Sequence, residues 1–260
     1  MYPILAEFDS FTLHTYGLMC ALGFLVISGT MMKLAHRAGH KAVHIMDILL
    51  GGSLAGVVGA RGVFCLQNPE HFEGFQDMLN LQSGGLVFYG AVLLGLPAAI
   101  GVMRLRGLPV FETLDMVAVG GPFAHGIARM GCFAAGCCYG LPTDASWGVT
   151  YAHEEAVAPI GVAVHPVQVY ESLALFAIGL CSIWTFRHRK WKGQVMMVYM
   201  CLYALVRFSI EGLRGDVERG LFLESIFGSW LSFSQGISIA LAAVGIGVFY
   251  FGARRAYEKV

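Results

Sequence analysis

Three arginines, Arg61, Arg129 and Arg207, stand inside stretches that are otherwise apolar. A guanidinium costs about 2.5 kcal/mol or more at the centre of a bilayer, so each is a functional candidate by default. Around two of them the spacing is helical. His125, Arg129 and Cys132 follow i, i+4, i+7, and Tyr203, Arg207 and Glu211 follow i, i+4, i+8, so each set shares one helix face. Other polar residues recur at a matching depth: His14 and Tyr16, then Tyr89, then His165, Gln168, Tyr170 and Glu171. Arg stays charged and offers a planar fork of donors, so guanidinium groups gathered at headgroup depth suit a phosphodiester. The ligand this suggests is a phospholipid. Arg61 has no polar neighbour one turn away on its own helix, and for it a structural reading, snorkelling or pairing, stands beside the functional one.

The elements that must carry these residues follow from composition. The chain has 260 residues, 57% hydrophobic and 13% charged, with 17 basic and 17 acidic residues and a mean hydropathy of +0.66. That excludes an ordinary soluble globule, a disordered chain and a cationic nucleic-acid binder. Apolar runs long enough to cross a bilayer are expected near Phe11 to Met32, Ile45 to Leu66, Gly84 to Met103, Thr113 to Gly136, Pro166 to Phe186, Gln194 to Ile210 and Gln235 to Phe251. The runs are continuous rather than alternating, which argues against a barrel. The fold class expected is an all-α membrane protein, a single seven-span bundle over residues 1 to 260.

Basic residues set the orientation, since they resist translocation. Lys33, Arg37, Lys41, Arg104, Arg106, Arg187, Arg189, Lys190, Lys192, Arg254, Arg255 and Lys259 fall on one side. The opposite loops hold only Arg214 and Arg219. The N-terminus is therefore expected outside and the C-terminus in the cytoplasm, with segments 67–83, 141–165 and 212–230 forming a small external cap. Arg61, Arg129 and Arg207 then lie about 5 to 10 Å below the outer surface, at 1.5 Å per residue. Asp47 and Asp115 sit in the first turns of helices that start at the cytoplasmic face, where a carboxylate suits the helix dipole. Gly52, Gly56 and Gly59 offer a small-residue face for close helix contact.

Of seven cysteines only Cys132, Cys137 and Cys138 cluster. Three thiols without a clear fourth ligand make a poor zinc pattern, and a disulfide or small apolar packing accounts for them more simply. No metal or cofactor is expected.

The stretch GIARMGCFAAGCCYG, from Gly126 to Gly140, resembles the signature of the bacterial prolipoprotein diacylglyceryl transferases. LHTYGLM from Leu13, SGGLVFYGA from Ser83, HPVQVYE from His165 and YALVRFSIEGLR from Tyr203 occur in that family's order, so the likeness covers nearly the whole chain. The resemblance implies a multi-pass enzyme of the bacterial inner membrane. Its partners would be phosphatidylglycerol and a prolipoprotein signal peptide with its lipobox Cys. The diacylglyceryl group moves to that thiol and glycerol phosphate is released. By motif position Arg129 and Arg207 are the implied catalytic cations. Tyr16, Tyr203 and Gly140 match positions used in binding or activity. His14, Arg61, Cys132, Gln168, Tyr170, Glu171 and Glu211 complete the expected substrate-binding set.

The chain departs from the signature at Cys132 and Ala135, where it has Asn, and at Cys137, where it has an acid. Tyr89 precedes Gly90 where many members have His. Tyr89 takes the catalytic place of that His, with His14 and Glu171 as the other candidates for the proton. Two further readings stay open: a transporter or receptor for an anionic solute, and a paralogue with a changed acceptor. No P-loop, H-E-x-x-H or G-x-S-x-G pattern is present.

Overall fold

The computed structural model describes residues 2–8, 11–72, 74–80, 85–216 and 233–257. Its helices are α1 (Thr15–Arg37), α2 (Ala42–Gln67), α3 (Phe75–Leu79), α4 (Phe88–Leu105), α5 (Val110–Ala135), α6 (Val167–His188), α7 (Gln194–Glu211) and α8 (Phe233–Tyr257). A 3-10 turn covers Pro69–His71. Two antiparallel hairpins complete the described residues, β1 (Ile4–Phe8) with β2 (Phe11–His14) and β3 (Val149–Thr150) with β4 (Ala163–Val164).

Every expected apolar run falls on one of these helices, and four of them, α1, α2, α6 and α7, are long and apolar enough to cross a membrane. α5 is not among the four, its apolar text being diluted by glycines, Pro122, His125 and Arg129. The first helix begins later than expected, at Thr15. Phe11–His14 pairs with Ile4–Phe8 instead, and the Thr15 hydroxyl and N–H cap the turn on the carbonyls of Tyr2 and Pro3. His14 therefore lies on a strand.

The chain divides into two compact units, Met31–Thr113 and Met1–Thr30 with Leu114–Val260. In the first, α2 and α4 pack on small residues. A Cβ at Gly52 would lie 3.1 Å from that of Ala99, and one at Gly59 or Gly90 would strike the backbone of the other. Contact this close is how helices associate where water provides no drive. Asp47 pairs with Arg106 at 2.8 Å beyond the other end of α4.

In the second unit α5 is the central helix. Gly23 of α1 lies against Ala124, Gly131 of α5 against Tyr16, and Gly179 of α6 against Phe123. The Ser172 hydroxyl donates to the Gly126 carbonyl at 2.9 Å, fully buried. Asp115 does more than favour its own helix dipole. Its carboxylate accepts from the N–H groups of Gly193, Val195 and Met196 and from Arg189, so it caps the N-terminus of α7 from another helix.

The segment after α5 folds back over the helix ends. Gly140 N–H donates to His165 O, Leu141 N–H to Leu213 O and Gly215 N–H to Tyr139 O, around a small core of Tyr151, Ala158 and Val164. From Leu141 on, these residues belong to the segments 141–165 and 212–230 read from the sequence. Of the latter, residues 217–230 lie outside the described residues.

Candidate active site

Glu171 is the hub. It is 1% exposed on α6, and its Oε2 lies 3.0 Å from Arg129 Nε of α5 without the alignment of a hydrogen bond. Its Oε1 accepts from the Tyr203 hydroxyl of α7 at 3.3 Å and stands 3.9 Å from His125 Nε2. One turn beyond Tyr203, Arg207 Nη1 approaches Glu211 Oε2 at 2.6 Å. The His125 and Tyr203 rings face each other at 5.3 Å, and the charges of Arg129 and Arg207 both act on these two side chains. The helical spacings read from sequence thus converge on one place. Desolvated cations are held here by carboxylates from a neighbouring helix and from the next turn, as buried charge requires.

The end of α5 shapes the rest. Gly136 has φ 72° and donates to Phe133 O, while Cys137 N–H donates to Cys132 O. This is a Schellman turn, which juxtaposes the side chains three residues before and two beyond the last helical carbonyls. Those positions are Cys132 and Cys137. Cys138 follows at φ 58°, a left-handed conformation unusual for a residue with a Cβ. The three sulfurs lie within 4.8 Å of one another. The Cys137 thiol donates to the Cys132 carbonyl at 3.7 Å. The neighbouring Cys132 and Cys137 thiols, helped by the Arg129 and Arg214 guanidinium groups, hold the Cys138 thiol well below the ordinary thiol range, whereas Cys132, Cys138 and burial push Cys137 up.

The remaining expected residues are dispersed around this centre. Tyr16, exposed in the first turn of α1, lies against Gly131 and within the field of Cys132 and Cys137. Gly140 is tightly enclosed, since a Cβ would lie 2.6 Å from that of His165. Gln168 is fully buried, and its Nε2 donates to Cys137 O at 2.7 Å and to the Tyr151 hydroxyl at 3.3 Å. The Tyr170 hydroxyl accepts from Trp147 Nε1 at 2.8 Å and meets His165 Nδ1 at 3.4 Å. His14 is exposed on β2.

Arg61 and Tyr89 belong to the other unit, Met31–Thr113. Arg61 is buried, donating to the carbonyls of Asp77, Met78, Asn80 and Gly85 with its guanidinium against Phe64 and Phe72. Those contacts tie down the segment after α2. Tyr89 opens α4, half-exposed, with a Cβ-less neighbour at Gly90.

Two residues missing from the sequence-derived site stand in it. His125 was legible as the residue one turn before Arg129. Arg214, which forks onto Asp216 through Nε at 2.9 Å and through Nη2, gave no signal beyond its place at the end of the YALVRFSIEGLR stretch.

Comparison with known proteins identifies the family. The model of the family described as prolipoprotein diacylglyceryl transferase matches residues 3–251. A phosphatidylglycerol–prolipoprotein diacylglyceryl transferase of Clostridium tetani is 30% identical over 249 residues, covering 96% of this chain and 97% of that protein. A second enzyme of that name from Clostridium perfringens is 31% identical over 254 residues, covering 95% and 93%. One from Vibrio atlanticus is 28% identical over 266 residues, covering 99% and 93%. With its signature helix α5 and the motifs of α1, α4, α6 and α7 all inside the matched range, the chain belongs to the prolipoprotein diacylglyceryl transferase family.

Proposed function

We propose that this protein transfers the diacylglyceryl group of phosphatidylglycerol to the lipobox Cys thiol of prolipoproteins, releasing glycerol phosphate. One observation carries the reading: Arg129 and Arg207, from two helices, bear on the same His125 and Tyr203 around Glu171. The relatives' names supply the substrates.

The acceptor thiolate attacks the glycerol carbon that carries the phosphate ester. The C–S bond forms as the C–O bond breaks, and the electron pair leaves on the phosphate oxygen. No protein nucleophile is needed. The protein aligns thiol and carbon and neutralises the charge that grows on the phosphate, which is the role of Arg129 and Arg207. Glu171 and the Tyr203 hydroxyl engage part of the Arg129 fork, and its other N–H groups are left to the lipid. A thiol with pKa about 8.5 is partly ionised at neutrality, so a weak base such as Tyr89, His14 or Glu171 is enough to remove its proton.

The proposed topology is a single domain of seven spans in the bacterial inner membrane, N-terminus outside, with the segments around 67–83, 141–165 and 212–230 as its external cap. The exposed apolar residues of the helices, among them Leu25, Leu173, Trp184 and Leu205, suit a lipid surround. Asp115, the buried acid at the far end of α5, is spent on capping α7. That weighs against a conduction path continuing to the cytoplasm.

Purified protein, phosphatidylglycerol and a lipobox peptide, followed by mass spectrometry of the peptide, test the function. A diacylglyceryl adduct on Cys is expected. No adduct, together with anionic solute uptake into proteoliposomes, favours the transporter. Reporter fusions at residues 38 and 154 test the topology, with the first expected inside and the second outside.

A further inference from the structure

We propose that Cys132, Cys137 and Cys138 bind one Zn2+ ion through their sulfurs, at the outer end of α5 beside the cationic site. The inference goes beyond the transferase reading and does not depend on it.

Packing alone accounts for part of the cluster. A Schellman turn brings its two flanking side chains together whatever they are, and here they are Cys132 and Cys137. It does not account for Cys138, which holds a left-handed backbone at φ 58° and still directs its sulfur to the other two. Three sulfurs within 4.8 Å of one another are close to what a tetrahedral ion needs. With Zn–S near 2.3 Å, ligand sulfurs stand about 3.8 Å apart, so closure requires a movement of about 1 Å or less. A disulfide requires contraction to about 2.05 Å and leaves the third thiol out.

The charges agree. Three thiolates and Zn2+ sum to one negative charge, and Arg129 and Arg214 both act on Cys138. Thiolates select soft and borderline ions over Mg2+ or Ca2+. The amide of Gln168 holds the Cys137 carbonyl through Nε2, and its Oε1 is buried with no hydrogen-bond partner among the described residues. A donor of the kind carried by a water on the fourth metal position is what that oxygen lacks.

The test uses the whole chain in detergent, stripped of metal and kept reduced with a phosphine. Titration with Cd2+ is expected to raise a thiolate-to-metal charge-transfer band that saturates at one equivalent and is displaced by Zn2+. In competition with a chromophoric chelator, Cys132→Ser and Cys138→Ser should each weaken Zn2+ binding at least tenfold, while Cys65→Ser and Cys181→Ser should leave it unchanged. Absence of the band in the reduced wild-type protein overturns the proposal, and so does a band that survives Cys138→Ser. A Cys132–Cys137 disulfide in the isolated protein, with no metal uptake after reduction, also overturns it. None of these readouts involves transfer activity, so failure here and failure of the transferase assignment are separable.

Discussion

Replacing Arg129 with Lys keeps the charge and removes the fork, which separates two ways the residue could act. Arg129 Nε lies 3.0 Å from Glu171, a carboxylate 1% exposed. At that distance, with an effective dielectric of about 20, the attraction is about 5 kcal/mol before desolvation. A single ammonium at 129 is therefore captured by Glu171 and cannot also reach a phosphate, whereas guanidinium serves both with different N–H groups. One charge-assisted hydrogen bond lost in the transition state is worth about 1.5 to 3 kcal/mol, or about 10- to 150-fold in kcat/KM. The assay is peptide modification followed by mass spectrometry at varied phosphatidylglycerol, with size exclusion in detergent to establish that the variant is folded. Wild-type kcat/KM in Arg129→Lys would refute the reasoning, because charge alone would then suffice.

Tyr89→Phe should lower kcat by about 100-fold with lipid binding unchanged if the phenol moves the thiol proton, and unchanged turnover would remove Tyr89 from the mechanism. Asp115→Asn turns one acceptor into a donor facing the Gly193 N–H and Arg189, and we expect a stability loss of about 1 to 3 kcal/mol, read by thermal unfolding in detergent. Arg61→Met strands four carbonyls that the guanidinium now satisfies, so proteolysis between residues 68 and 80 should accelerate while transfer per folded molecule changes little. A fall in turnover without faster cleavage would instead place Arg61 at the lipid.

Hydropathy and helical spacing are local properties, and they were enough for much of this protein. The positions of the long helices, the shared faces of His125 with Arg129 and of Tyr203 with Arg207, and the motif order that marks the family all lie in the residue order itself. The first helix start was misplaced because Phe11–His14 is as apolar as a helix beginning, and only its pairing with Ile4–Phe8 distinguishes it.

Partnership across the chain was not legible, because a side chain's type does not name the backbone or charge that will meet it. Asp115 reads as a first-turn acid, yet it caps a helix that begins 79 residues later in the sequence. Arg61 reads as a buried cation awaiting a ligand, yet four carbonyls from the segment after α2 surround it. Glu171 became the hub only when α5, α6 and α7 came together, and Cys138 joined Cys132 and Cys137 only through a turn whose two left-handed residues no periodicity announces. The residue order determined which groups carry charge and which of them share a helix face. Helix packing alone decided which of those charges are paired and which of them stand together around Glu171.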